Sequence, residues 1–159
     1  MNDMLPDTNQ RGRRRNVLVM VDDDSDDLFL ATEAISEIDA GIVFHTLSNG
    51  AELISYLDRE GQFADPATAP RPDLVLLDLN MPLMDGHATL GVLREREEFR
   101  DIPVVIFSTS TAPKDIRKSY LGGANTYIAK PQSYDGLCEI MQRLSEYWFR
   151  AAERANVED

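Results

Sequence analysis

The chain has 159 residues, 43% of them hydrophobic and 28% charged, which is the make-up of one globular domain and excludes wholesale disorder, a coiled coil or a collagen-like repeat. Sixteen Lys and Arg against twenty-eight Asp and Glu leave a net charge of −12, whose field repels nucleic acid and anionic lipid; neither is expected as a partner. The single cysteine forms no internal disulfide, no apolar run is long enough to span a membrane, and the opening MNDMLPDTNQRGRRR has no apolar stretch of a leader, so a cytoplasmic location is expected.

Residues 1–15 lack hydrophobic periodicity and read as a disordered tail with a basic end. From Asn16 the chain alternates. NVLVMV (16–21), DLVLLD (73–78) and PVVIFS (103–108) are continuous apolar runs, the signature of strands covered on both faces; IVFHTL (42–47) and NTYIAK (125–130) are weaker strands. Between them lie helical spacings. Leu28, Ala31, Ile35 and Ile38 follow Ser25 as expected N-cap. Leu53, Ile54 and Leu57 precede Gly61, and Leu90, Leu93 and Phe99 mark a third helix. Ile116, Tyr120 and Leu121 are stopped by Gly122-Gly123. Leu137, Ile140, Met141, Leu144 and Trp148 form a fifth. Strand then helix, five times, implies an α/β fold with a doubly wound parallel sheet over residues 16–150, followed by a short C-terminal tail, 151–159. The proline-rich 62–72 stretch is a long loop before the third strand.

Ligands of such sheets sit beyond the carboxyl ends of the strands. There the sequence places Asp22, Asp23 and Asp24 after the first run, Asp78 after the third, Ser108 after the fourth and Lys130 after the fifth. Clustered carboxylates repel one another, and a hard divalent cation such as Mg2+ relieves that repulsion. A carboxylate nucleophile, a metal, an ammonium and a hydroxyl together suit phosphoryl transfer.

VLVMVDDDSDD, LVLLDLNMPLMDG, IPVVIFSTS and ANTYIAKP, in that order, resemble the receiver domain of two-component response regulators. The resemblance implies a flavodoxin-like (βα)5 fold of strand order 2-1-3-4-5. It implies Asp78 as phosphoacceptor from a sensor histidine kinase and as a Mg2+ ligand, with the ion also held directly by Asp23, mainly through water by Asp22, and by the Asn80 backbone carbonyl. Ser108 and Lys130 would hold phosphoryl oxygens. Tyr127 would turn inward as the Ser108 hydroxyl is drawn to the phosphoryl group, and the fourth helix, fifth strand and fifth helix would carry the readout. It further implies a cis Lys130–Pro131 bond and backbone freedom at Gly86. Gln132, the long 62–72 loop and the Tyr147-Trp148-Phe149 cluster depart from the commonest pattern. They resemble the stand-alone regulators of bacterial phytochrome kinases, relaying to a downstream phosphotransfer or effector protein. Three successive aromatics cannot share one helix face, so at least one is expected exposed, and a homodimer through this end is expected. Two other readings remain. An aspartate-based Mg2+-dependent phosphohydrolase normally has an acid two residues after its nucleophile, where this chain has Asn80; a non-phosphorylated adaptor would lack the complete residue set. Apart from promoting its own phosphorylation and dephosphorylation, the protein is not expected to be an enzyme. His45 and His87 are read as structural, and Cys138 as packed toward the sheet.

Overall fold

The computed structural model describes residues 15–38 and 41–155; the expected N-terminal tail, apart from Arg15, lies outside them. Five strands, β1 (Val17–Val21), β2 (Val43–Leu47), β3 (Leu74–Leu77), β4 (Val104–Ser108) and β5 (Thr126–Ala129), form one parallel sheet in the order β2-β1-β3-β4-β5. Five helices connect or follow them: α1 (Ser25–Ile38), α2 (Gly50–Leu57), α3 (Gly86–Glu95), α4 (Pro113–Leu121) and α5 (Tyr134–Glu146).

β1, β3 and β4 are buried along their whole length, as their uninterrupted apolar runs require. Alternate residues feed two cores. Val19, Val21, Val75, Leu77 and Ile106 pack with Leu53, Leu90 and Leu93 from α2 and α3. Met20, Leu74, Leu76, Val105 and Phe107 pack with Ala31, Ala34 and Ile35 of α1 and Met141 and Leu144 of α5. The edge strands β2 and β5 are only partly covered, hence their mixed sequences.

Several expectations are refined. Asp24, not Ser25, caps α1: its carbonyl accepts the first helical bond, from Leu28, and its carboxylate accepts from the amides of Asp26 and Asp27 at 2.9 and 3.3 Å. α3 ends at Glu95; Phe99 lies beyond it in a turn, yet is buried. On α4 the buried residue is Ser119, while Tyr120 and Leu121 are exposed, because the helix rests on the sheet through the face opposite to Leu121. Gly86 has an ordinary φ. It is glycine because a Cβ there would collide with the Asp78 carbonyl and lie 2.8 Å from the Leu79 Cα. The Lys130–Pro131 peptide is trans; among the described residues no peptide is cis. The intrinsic preference at an Xaa–Pro bond is only about 0.5–1 kcal/mol, so packing around it decides.

The long loop is ordered by its own contacts. It opens with a 3-10 turn, Gly61–Phe63, buries Ala69, and offers the Pro70 carbonyl to the Tyr56 hydroxyl at 2.7 Å. Past α5 the chain makes a π-helical turn, Tyr147–Ala151. Tyr147 is exposed, while Trp148 and Phe149 pack against the α1–α5 core. Arg154 then reaches the opposite end of the sheet from the carboxylates: it donates to Asn16 at 3.1 Å and pairs with Asp73 at 3.3 Å, whose other oxygen accepts the Val17 amide at 2.8 Å. Among the described residues no helix is long and apolar enough to cross a membrane.

Candidate functional site

Parallel register delivers four strand ends to one edge. Val21 pairs with Leu77, Leu77 with Ile106 and Ser108 with Ala129, so the next residues, Asp22, Asp78 and Lys130, emerge beside Ser108. Backbone bonds continue the sheet under them: Asp22 N–H donates to Leu47, Asp78 N–H to Val21 and Lys130 N–H to Ser108, at 3.0, 3.0 and 2.8 Å. The loop after Asp78 is closed by the Gly86 amide on the Leu79 carbonyl at 2.9 Å, the close approach that excludes a side chain at Gly86.

Asp22, Asp23 and Asp78 bring carboxylate oxygens within 4.8 Å of one another. Asp22 and Asp78 are buried and Asp23 is exposed at the mouth. One Asp78 oxygen, Oδ1, accepts the Leu79 amide at 2.9 Å; Oδ2 takes no backbone bond. Asp22 Oδ1 accepts the Asp24 amide at 2.9 Å, and its Oδ2 takes the Lys130 ammonium at 2.6 Å. Lys130 also donates to Asp27 at 2.8 Å and stands 3.8 Å from Asp78 Oδ2.

The charges are strained by burial. Asp78 is pushed up to about 6, first by loss of water and then by the Asp22 charge, against the pull of Lys130, the Leu79 amide and the Ser108 hydroxyl. Asp22 is also raised by burial, which its bonds to Lys130 and the Asp24 amide only partly offset. Burial works against the Lys130 ammonium, but its bonds to Asp22 and Asp27 outweigh that and hold it above the ordinary lysine value. Three facing carboxylates and Asp27 against one ammonium leave an excess of negative charge. That donor set fits a hard divalent cation.

The fourth strand ends at Ser108, and the chain beyond it reaches Tyr127. Ser108 is fully buried, and its Oγ lies 3.4 Å from the Ser110 amide. The Ser110 carbonyl accepts the Tyr127 hydroxyl at 2.8 Å, and the Ser110 hydroxyl donates to Asp115 in the first turn of α4 at 2.6 Å. Tyr127 is half-buried and packs against the α2–α3 side of the core. Asn80 is exposed two residues beyond Asp78.

The structure thus gathers Asp22, Asp23, Asp78, Ser108 and Lys130 into one pocket, with Tyr127 one loop away. The two histidines stand apart from it. His45 lies near Tyr56, ring centroids 6.0 Å apart, and His87 meets the Ser119 hydroxyl at 3.0 Å. Cys138 packs against the α1–α5 side of the core, as expected, and its thiol also meets Glu37 of α1 at 3.5 Å. Sequence reasoning missed Asp27. The signal was the second acidic pair of VDDDSDD: Asp27 stands one helical turn after the Asp24 cap, on the face of α1 toward Lys130.

Comparison with known proteins agrees with this geometry. The response regulator receiver domain model matches residues 18–142. Response regulator Rcp1 of Synechocystis is 31% identical over 134 residues, covering 83% of this chain and 88% of that protein. The probable methanogenesis regulatory protein FilR2 of Methanothrix harundinacea is 30% identical over 132 residues, covering 83% of each. The phosphorylated cyanobacterial phytochrome response regulator RcpA superimposes with a TM-score of 0.82 at 34% identity, over 90% of this chain and 100% of that one. The Mn2+-bound form of Rcp1 superimposes at 0.76 and 28% identity, over 89% and 99%. A parallel sheet ordered 2-1-3-4-5, an acidic pocket fit for a divalent metal at its carboxyl edge, and a family match over most of its length make this chain a response regulator receiver domain, a phosphoryl-accepting signalling module that works with histidine kinases.

Proposed function

We propose that Asp78 is the phosphoacceptor. Its Oδ2, free of backbone bonds, attacks phosphorus of a phosphohistidine on the partner kinase. The new P–O bond makes an acyl phosphate as the P–N bond breaks, and the imidazole nitrogen leaves with the electron pair. Asp22, Asp23 and Asp78, with the Asn80 carbonyl, would hold Mg2+, which would supply positive charge to the transferring oxygens. Lys130 neutralises one phosphoryl oxygen and the Ser108 hydroxyl donates to another. The observation that carries this reading is the convergence of Asp78 with two further carboxylates and one buried ammonium, in a pocket short of positive charge.

The readout runs through Ser110. A shift of Ser108 toward a phosphoryl oxygen pulls on the segment whose carbonyl holds Tyr127 and whose hydroxyl holds the first turn of α4. Beyond that, α4 buries only Ser119, so little packing opposes its movement. The protein catalyses no reaction beyond its own phosphorylation and dephosphorylation. The kinase is a bacterial phytochrome, a pairing supported by the likeness to RcpA. Two copies associate through the C-terminal aromatic turn, where Tyr147 is 57% exposed and stacks edge-on to Trp148.

Radiolabelled acetyl phosphate tests the chemistry: labelling that requires Mg2+ and disappears in Asp78→Asn supports it, and undiminished labelling of that variant refutes it. Red and far-red light acting oppositely on transfer from a purified phytochrome kinase tests the pairing. Equal transfer in both states, or none, excludes it.

A further inference from the structure

We propose that Asp27 is a resting-state counter-anion that competes with the phosphoryl group for Lys130. The proposal rests on the reading of Asp78 as phosphoacceptor and adds a positioning residue to it.

Lys130 has three ammonium protons. Two are committed, to Asp22 at 2.6 Å and to Asp27 at 2.8 Å, and the ammonium stands 3.8 Å from Asp78 Oδ2, outside hydrogen-bond distance. The two held carboxylates differ in place. Asp22 is 1% exposed and belongs to the group of three facing carboxylates; Asp27 is 34% exposed and stands outside that group. The charge of Asp27 acts on the pocket through the lysine it holds, and also directly on Asp22.

Helix capping does not account for this contact. Asp24 caps α1, and an acid in the first turn gains from the helix dipole while pointing into water. Asp27 instead reaches a lysine 103 residues away in sequence whose side chain is only 10% exposed. A phosphoryl oxygen arriving at Asp78 must draw the ammonium toward itself against this partner. Asp27 thus lowers the affinity of the pocket for a tetrahedral anion and holds the lysine back until one arrives. Because Asp27 sits on α1, anything that shifts the first turn of that helix also changes the hold on Lys130.

The direction of the effect separates this role from a structural one. Removing a supporting residue weakens anion binding; removing a competitor strengthens it. The test uses the full chain saturated with Mg2+, with beryllofluoride affinity by calorimetry and acetyl phosphate labelling rate as readouts. Asp27→Asn is expected to bind beryllofluoride about two- to fivefold tighter, the size of one partly exposed ion pair, and to label faster by a similar factor. Asp27→Glu, which keeps the charge, returns both values toward wild type. Asp26→Asn makes the same charge change one residue away and leaves both within about twofold. Weaker or unchanged binding in Asp27→Asn, or an equal gain in Asp26→Asn, overturns the proposal. Failure of the wild-type chain to label or to bind beryllofluoride at all overturns instead the phosphoacceptor reading beneath it.

Discussion

Ionised Asp78 works against the fold when no metal is bound, so replacing it with asparagine should stabilise the metal-free protein. Burial and the neighbouring Asp22 carry its carboxyl from the ordinary 3.8 to about 6. Holding such a group ionised in the native state costs about 3 kcal/mol. Asparagine is nearly isosteric, can still accept the Leu79 amide, and removes the charge; it forfeits the attraction of Lys130. A net gain of about 1–3 kcal/mol follows at pH 8 in a chelator, roughly 3 to 10 °C in Tm for a domain of this size. The sign with pH is fixed. A carboxyl whose native pKa is raised contributes its full stability below the unfolded value of 3.8 and loses it as pH rises through about 6. The gap between variant and wild type should be near zero at pH 4, grow from there to pH 6, and stay level above it. Thermal and urea unfolding across that range, with and without Mg2+, measure it; saturating metal should narrow the gap by stabilising wild type more. A variant less stable than wild type at pH 8 in chelator, or a gap of equal size at pH 4 and pH 8, would refute the electrostatic account.

Lys130→Met leaves buried Asp22 without its cation and should cost about 3 kcal/mol or more in metal-free urea unfolding; a loss below about 1 kcal/mol would mean the pocket is better hydrated than its burial indicates. Gly86→Ala drives a methyl group into the Asp78 backbone, so unfolding should show a loss of about 1–3 kcal/mol and acetyl phosphate labelling should slow. At the far end of the sheet, Asp73→Ala strips the Val17 amide of its acceptor and Arg154 of its anion, costing about 1–3 kcal/mol with faster hydrogen exchange at Val17. Labelling of that variant should keep its wild-type rate, because the contact lies at the opposite strand ends.

The parallel sheet was legible because β1, β3 and β4 are central and buried on both faces, a condition that writes uninterrupted apolar runs into sequence. β2 and β5 were fainter for the reverse reason: as edge strands they are only partly covered, and His45, Thr46 and Thr126 are tolerated there. The candidate site was legible wherever its residue ends a strand or follows directly on one, since parallel register alone brings Asp22, Asp78, Ser108 and Lys130 together. Asp27 was not, because its contact with Lys130 depends on which way one turn of helix faces, and two acids in the first turn of α1 were equally good for the dipole. Ser119 escaped for a related reason. The spacing of Ile116, Tyr120 and Leu121 marked α4 as a helix but not its inner face, which carries a serine that donates to the Asp115 carbonyl and meets His87. The anchoring of Arg154 to Asp73 and Asn16 depends on a turn of π-helix after α5 that no hydrophobic period marks.

The central claim is that one carboxylate among many accepts the phosphoryl group, and that it does so because of where it stands. Peptide mass spectrometry after acetyl phosphate treatment and borohydride trapping of the acyl phosphate tests this most directly. The account predicts a single modified aspartate, Asp78, formed with Mg2+ and absent when the metal is chelated. Modification of Asp22, Asp23 or Asp24 in its place, or metal-independent modification of Asp78, would contradict it.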